Sequence, residues 1–391
     1  MTDHQPEFRD RRTLPRARPT RIGVNVLFLI PGEVGGTEVY TRQVLRALAD
    51  VDPYNEYFIF RNRETDAEIV PPRPNFHDCP QPVRARIRPA RILYEQSGLL
   101  ANLARFRIEV LFNCGFTAPL LAWLPMVTVF YDLQYKRFGG NLQRFELLVN
   151  QLLLPASARR SAVLVAMSDA VVQDLKLFYP WSAGRIALVP HGVDPDFNAV
   201  RERRSTTPAS CCHFILAVST LMAHKNFENL LRAFALFREA HPSYRLVVAG
   251  IKGRDTARLE TIRGSLGLDH AVRFTGWIPR AELLQLFAEA SAFVYASRFE
   301  GFGIPVLEAL TAGLPTACSR IAPLEEIAGN AACYFNPEDV SDMARALCQV
   351  VDDEALRAHL ALAGPLRAKR FDSKANASQL VTLFESLVSQ R

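Results

Sequence analysis

Short apolar runs alternate with helical stretches along almost the whole of this 391-residue chain, and that alternation most constrains its fold. A strand followed by a helix before the next strand pairs in parallel, with helices covering the sheet. Ile22–Ile30 (IGVNVLFLI) opens as a strand. A Gly-rich loop, Pro31–Gly36, follows, and Thr37–Asp50 continues as a helix with Val39, Val44, Leu45 and Leu48 on one side. Tyr57–Phe60, Ile108–Phe112, Met126–Tyr131 and Val163–Ala166 predict further strands, separated by helices around 93–105 and 141–160. Proline-rich Pro71–Pro89 predicts an irregular loop. Turn residues at Val189–Pro195 and polar Arg201–Ser210 interrupt the pattern and place a domain boundary between 190 and 212. The alternation then restarts. Strands are predicted at His213–Val218, Tyr244–Ala249, Val272–Thr275, Ala292–Ala296 and Pro315–Cys318. Helices are predicted at Asn226–Ala240, 255–266, 280–290 and Ile304–Ala312, and an amphipathic helix closes the chain at about 373–390.

At about 150 residues per domain, this length predicts two domains. The expectation is an α/β protein with a disordered basic tail at 1–20, one Rossmann-like domain at 21–190 and a second at 191–372. A C-terminal helix, 373–391, is expected to pack back on the first domain. Two βα domains in series make the cleft between them the natural ligand site.

Composition removes several classes. The chain is 49% hydrophobic and 22% charged, which excludes disorder, collagen and coiled coil. Of the net charge of +6, half sits in residues 1–21, where six Arg oppose Asp3, Glu7 and Asp10. The remainder mixes its signs, so nucleic acid is not an expected partner. Seven Cys occur without a C-x-x-C, which leaves zinc and redox motifs unsupported and predicts small apolar packing in a reducing, cytoplasmic setting. No secretory signal is recognisable. The uncharged run Val110–Tyr131 contains Asn113, Gly115, Pro119 and Pro125, predicting strand, turn and strand rather than a membrane span.

The richest segment is Phe299–Gly313, FEGFGIPVLEALTAG. Gly301 and Gly303 flank Phe302 after a strand, Ile304 opens the next helix and Pro305 sits in its first turn. Backbone N–H groups at the positive end of a helix dipole suit a phosphate. Glu300 in the loop and Glu308 in the helix suit a sugar hydroxyl and a ribose. A plain glycine turn with two surface glutamates accounts for the same letters.

Glu300 and Glu308, with Gly-Phe-Gly-Ile-Pro between and Ala-Leu-Thr-Ala-Gly after, resemble the paired-glutamate signature of the family 4 retaining glycosyltransferases. The resemblance runs from about 22 to 380. It implies the GT-B architecture, two Rossmann-like domains with parallel sheets facing across a cleft. Gly35-Gly36-Thr37-Glu38 resembles the acceptor-side loop that approaches the donor phosphates. His191-Gly192-Val193-Asp194 resembles the interdomain linker, with His191 structural. Lys225-Asn226 resembles the Lys-Asn whose ammonium holds the donor diphosphate. Arg273–Ile278 lies where the nucleobase pocket is expected, with backbone at Gly276 and Ile278 facing the base and Trp277 packing. Two positions depart from the family pattern. Ser219 stands where an Arg is usual, with His224 or Arg254 as substitute cations, and Tyr131, before Asp132, stands where many members carry a histidine.

The resemblance therefore implies a retaining, metal-independent hexosyltransferase without cofactor. Its donor is a nucleoside diphosphate sugar, GDP-mannose first and UDP-sugars second. Its acceptor is a glycan or lipid-linked hydroxyl in cell-envelope polysaccharide synthesis, reached at the inner face of the membrane through basic residues such as Arg84, Arg86, Arg88 and Arg91. Glu300, Lys225, Asp132 and Tyr131 are the expected catalytic set. Asp50-x-Asp52 and Asp194-x-Asp196 read as chance rather than as a manganese motif. The alternative is a non-catalytic nucleotide-sugar-binding subunit of a glycan-assembly complex.

Overall fold

The computed structural model describes residues 18–138, 144–206 and 213–389. The chain divides into two compact units, Met1–Gly192 with Ser373–Arg391, and Val193–Asp372. Both are α/β.

The first unit contains β1 (Arg21–Asn25), α1 (Gly36–Val51), β2 (Glu56–Arg61), β3 (Phe76–Pro80), α2 (Arg88–Glu95), α3 (Gly98–Arg105) and β4 (Val110–Asn113). It continues through β5 (Met126–Phe130), α4 (Gln134–Arg137), α5 (Arg144–Arg160), β6 (Val163–Ala166), α6 (Asp169–Phe178) and β7 (Ile186–Leu188). The second holds α7 (Asp196–Thr206), β8 (Phe214–Val218), α8 (Phe227–Ala240), β9 (Arg245–Ala249), α9 (Thr256–Ser265), β10 (Val272–Gly276), α10 (Arg280–Glu289) and β11 (Ala292–Tyr295). It ends with α11 (Ile304–Thr311), β12 (Thr316–Ser319), α12 (Ala322–Ala328), β13 (Cys333–Phe335), α13 (Val340–Asp352) and α14 (Glu354–Ala368). The last helix, α15 (Ser373–Ser389), belongs to the first unit.

The two sheets share one plan. Strand order is β3-β2-β1-β4-β5-β6-β7 in the first and β10-β9-β8-β11-β12-β13 in the second, all parallel. Strands β4, β5 and β6 are buried at every residue, as parallel strands covered on both faces must be. In each sheet the chain winds outward from the first strand on one side and then returns to its other side. Val24 of β1 pairs with Ile59 of β2 and Phe112 of β4; Leu216 of β8 pairs with Val247 of β9 and Phe293 of β11. Beside β1 and beside β8 the loops at the strand C-termini consequently part in opposite directions and leave a crevice.

Several expectations change. Residues 18–20, assigned to the disordered tail, fold with the first unit: Thr20 is buried with its N–H on Asn55 Oδ1 at 2.9 Å, and Arg18 pairs with Glu109 at 2.8 Å. The rest of that tail, with Arg9, Arg11, Arg12 and Arg16, lies outside the described residues, as do Cys211 and Cys212. The Pro71–Pro89 segment contains β3. That strand lies at the sheet edge and ends on Pro80, where a missing N–H costs the ladder little. Arg201–Thr206, expected as loop, finishes α7, and the helix predicted at 93–105 is two helices broken at Gln96–Ser97. Of the remaining cysteines, Cys79, Cys114 and Cys318 are buried and Cys333 and Cys348 are half-buried, all as free thiols. No helix among the described residues is long and apolar enough to cross a membrane.

The C-terminal helix is fastened by both packing and hydrogen bonds. Phe384 is fully buried against Phe112 at 5.3 Å between centroids. Asn376 Nδ2 donates to Pro190 O at 2.8 Å, and Gln379 Nε2 to Leu188 O at 3.2 Å. Phe384→Ala is therefore expected to lower unfolding stability by about 3–4 kcal/mol. Urea unfolding checks this; a loss under about 1 kcal/mol would mean that α15 contributes no core.

Candidate functional site

The β8–β11 crevice holds a buried ion pair, Lys225 with Glu300. Beyond β8, residues Ser219–Met222 lead into one 3-10 turn, Ala223–Lys225. Asn226 follows in the left-handed conformation (φ 61°, ψ 32°) and starts α8. Its side-chain amide donates to Pro337 O at 2.7 Å, and it is only 1% exposed, so Asn226 anchors the turn that presents Lys225. Beyond β11, the His224 carbonyl accepts from the Arg298 N–H at 2.8 Å and from Ser297 Oγ at 3.2 Å. This staple joins the two loops and brings Lys225 Nζ to 2.6 Å from Glu300 Oε1.

Tyr295, the last residue of β11, completes the cluster: its hydroxyl donates to Glu300 Oε1 at 2.7 Å and accepts from Lys225 Nζ at 3.4 Å. Burial pushes the Glu300 carboxyl up, but Lys225, Tyr295 and Ser297 outweigh it and hold the pKa below its ordinary value. Glu300 is thus a carboxylate. Burial and the neighbouring Lys225 ammonium drive His224 the other way, down to about 4. His224 is neutral near pH 7 and does not replace the missing cation. Arg254 is exposed on the 250–255 loop, which hydrogen-bonds both backbone groups of Leu221.

The glycine turn after Glu300 has a steric reason. Gly303 has φ 123°, outside the range of most L-residues, and a Cβ there would lie 2.5 Å from Leu324 Cδ2. It begins α11 with no side-chain cap on the helix N-terminus. Gly301 and Phe302 are buried and Ile304 is half-buried. Glu308, one turn into α11, is buried at 8% side-chain exposure with Arg280 Nη1 3.5 Å from Oε1. Arg280 also pairs with Asp194 and lies 3.6 Å from Asp196, so its charge is shared. Burial therefore dominates at Glu308, with Asp194 adding to it against Arg280, and its pKa rises to about 7. Gly276, ending β10, has φ 72°; Ile278 is half-buried, and Trp277 is 62% exposed rather than packed.

The first unit's crevice, beside β1, is an open cavity of about 520 Å³. Phe28, Glu33 and Thr37 reach it from the β1–α1 segment, Gly115 and Phe116 from beyond β4, and Asp132 and Tyr135 from beyond β5. Gly35 turns the chain into α1 with φ 61° and ψ −132°, a pairing open essentially to glycine, and Gly36 is the exposed first residue of that helix. Asp132 lines the cavity with Oδ1 accepting from the Gln134 N–H at 2.9 Å. Tyr131 does not line it. Its hydroxyl donates to Cys114 O at 2.5 Å and its ring packs on Tyr40 and Phe116, so it braces the β4–β5 connection. His191 is 2% exposed beside Tyr40.

The aspartate pairs read as chance are structural. Asp52 accepts from Tyr57 and Asn55, and Asp194 pairs with Arg280. Among the described residues, His241, Cys348 and Asp352 bring three ligand atoms within 4.8 Å, away from the β8–β11 loops, just past the end of α8 and on α13. A direct His241–Asp352 hydrogen bond of 2.7 Å already occupies two of them.

The signals missed in the sequence are Tyr295 and Arg280. Tyr295 was legible as the end of a strand five residues before Glu300; Arg280 carries no local motif.

Two family models match the chain: "Glycosyltransferase Family 4" over residues 34–197 and "Glycosyl transferases group 1" over residues 201–367. O-antigen chain mannosyltransferase B of Escherichia coli is 30% identical over 175 residues, 44% of this chain and 46% of that one. GDP-mannose:cellobiosyl-diphosphopolyprenol alpha-mannosyltransferase of Komagataeibacter xylinus is 30% identical over 261 residues, 64% and 63% of the two chains. These matches span only about half to two thirds of the relatives' length. Sucrose-phosphate synthase of Thermosynechococcus elongatus superposes with a TM-score of 0.77 over 96% of this chain and 100% of that one at 19% identity, a likeness of fold.

The buried Glu308 makes a pH prediction. Between the ordinary value of 4.5 and about 7, the folded protein keeps a proton that the unfolded chain has released, so this group lowers stability as pH rises. In urea unfolding, Glu308→Gln is expected to remove about 3 kcal/mol of decline across that window. A variant whose slope matches the parent's would show that Glu308 is ionised in the folded state.

Proposed function

Because the chain belongs to the family 4 glycosyltransferases, its second half matching the group 1 glycosyl transferases, we propose that it moves a hexose from a nucleoside diphosphate sugar to an acceptor hydroxyl, with retention at the anomeric carbon. The observation that carries this reading is the Lys225–Glu300–Tyr295 cluster, set in the β8–β11 crevice beside the uncapped start of α11. The ammonium and the helix N-terminus supply positive potential where a diphosphate leaves, and Arg254 adds a second cation from the neighbouring loop. When the diphosphate binds, Lys225 exchanges part of its contact with Glu300 for phosphate oxygens. Glu300 then takes sugar hydroxyls as an ionised acceptor, and Glu308 takes the ribose hydroxyls.

In the proposed step, the acceptor oxygen bonds to the anomeric carbon on the face from which the diphosphate departs. The acceptor proton passes to the departing phosphate oxygen. Positive charge from Lys225 and Arg254 performs the neutralisation that a metal ion would otherwise supply, so metal independence belongs to the same proposal. Asp132, in the first unit's cavity, orients the acceptor hydroxyl, and Gly35 and Gly36 bring backbone close to it. Ser219, Gly276 and Ile278 border the nucleotide, and Tyr131 and Asn226 act by holding their loops. The mannosyltransferase names of the relatives favour GDP-mannose as donor and a cell-envelope glycan or lipid-linked acceptor, met by a cytoplasmic protein at the membrane face.

A thermal-shift and turnover screen of GDP-mannose, UDP-glucose and UDP-galactose tests this reading. One donor is expected to stabilise the protein and release nucleoside diphosphate equally with and without EDTA. Lys225→Ala is expected to lower turnover by about 100-fold or more, with unit folding checked by circular dichroism. No stabilisation by any donor or by free GDP and UDP would sink the donor site. Product of inverted configuration by NMR would sink the retaining step alone.

A further inference from the structure

In the second unit α8 and α13 pack through one core, with Leu230, Phe234 and Phe237 of the first helix meeting the cluster that holds Met343, Leu347 and Val350 of the second. Three side chains of metal-ligating type gather where both helices end. His241 is the residue after α8, Asp352 is the last of α13, and Cys348 lies one turn earlier on the same face of α13. Imidazole nitrogen, thiol sulfur and carboxylate oxygen come within 4.8 Å of one another. The histidine and the aspartate stand 111 residues apart in the chain, so no short motif could have revealed the group.

The histidine's own contacts point to a cation. Its Nδ1 lies 3.2 Å from the Phe237 carbonyl oxygen and its Nε2 2.7 Å from Asp352 Oδ1, and both of these groups are acceptors. A neutral imidazole has a single N–H and turns a lone pair on one of them. A cation at Nε2, with Nδ1–H donating to the carbonyl, satisfies both. That is the arrangement by which a backbone carbonyl fixes the ring of a metal-bound histidine. The ring is also braced, stacked on Phe237 at 4.3 Å and 5° and set edge-on to Tyr244 at 5.8 Å. A proton on Nε2 would give a plain ion pair with Asp352, which has no use for sulfur. Cys348 is the third group that such a pair leaves unexplained. Two helix C-termini meet here, and the negative ends of their dipoles favour positive charge.

We propose that His241, Cys348 and Asp352 form a structural site for Zn2+ or a divalent cation of similar softness, which clips the end of α8 to α13. Nitrogen, sulfur and one carboxylate oxygen suit that class of ion, and water takes the fourth tetrahedral position. Ligand atoms around such an ion lie about 3.3–3.7 Å apart, given bonds of about 2.0–2.3 Å. Asp352, whose side chain is 55% exposed, swings back from His241 to admit it. Cys348 binds as thiolate, and its proton leaves to solvent. The site stands apart from the β8–β11 loops, so the transfer step itself remains metal-free.

Cobalt titration of the full chain, stripped with EDTA and kept reduced, tests the proposal. One equivalent of Co2+ is expected to give a sulfur-to-cobalt charge-transfer band with the strong visible bands of a tetrahedral ion, and Zn2+ should bleach both. Cys348→Ser should abolish the charge-transfer band. His241→Gln should weaken Zn2+ binding about tenfold or more. Should that variant fail to fold, Asp352→Asn, at an exposed side chain, should weaken binding several-fold. Zn2+ at a hundredfold excess over its Kd should raise the unfolding midpoint by about 5 °C or more, an effect that Mg2+ does not give and Cys348→Ser loses. The proposal is overturned by a charge-transfer band that survives Cys348→Ser, which would place the ion on other thiols. It is overturned equally by weak octahedral cobalt bands without charge transfer, or by no response to Zn2+, which would leave a His241–Asp352 ion pair only.

Discussion

Reversal of strand order beside β1 and beside β8 is the constraint on which both candidate sites depend. A parallel sheet wound outward in both directions from one strand separates the loops at that strand's C-terminal end, and backbone alone then leaves a crevice. In the second unit the separation would leave Lys225 and Glu300 on different loops. The His224 carbonyl, accepting from Ser297 and Arg298, closes that distance. In the first unit the opening beside β1 forms the 520 Å³ cavity.

Charge burial distinguishes the two sites physically. Lys225 and Glu300 neutralise each other at short range, and Tyr295 satisfies a further carboxylate lone pair, so the cluster is stable before any ligand arrives. Arg280 divides its charge among Asp194, Asp196 and Glu308, which leaves Glu308 short of compensation and raises its pKa. Arg91 is a buried cation whose neighbouring carboxylate, Glu95, lies 4.0 Å from Nη1.

Much of the fold was legible because parallel sheets in α/β proteins leave a strong trace. Buried strands read as continuous apolar runs, so Val163–Ala166 was placed to the residue and Phe214–Val218 to within one. Short elements with mixed composition left no such trace: β3 was hidden by the prolines around it, and β7 and β13, three residues each, lie below the length at which a pattern exists. At the candidate site, Glu300, Glu308 and the glycine turn stood out by their spacing, and Lys225 by its resemblance to the family's Lys-Asn. Trp277 was misplaced because aromatic residues are usually packed, whereas here it is 62% exposed beside the turn at Gly276.

By itself the sequence determined the α/β class, the two successive βα patterns and the segments that supply the chemistry, since apolar periodicity and glycine spacing are local properties. Only the tertiary structure decided what state those groups are in. Whether a carboxyl is ionised or a guanidinium paired depends on burial and on neighbours tens of residues away: Lys225 on Glu300, Glu308 on Arg280, Tyr131 on the Cys114 carbonyl, Arg91 on a Glu95 that is held just out of reach. Electrostatics in a low-dielectric interior is a property of three-dimensional distance, and that distance is what folding sets.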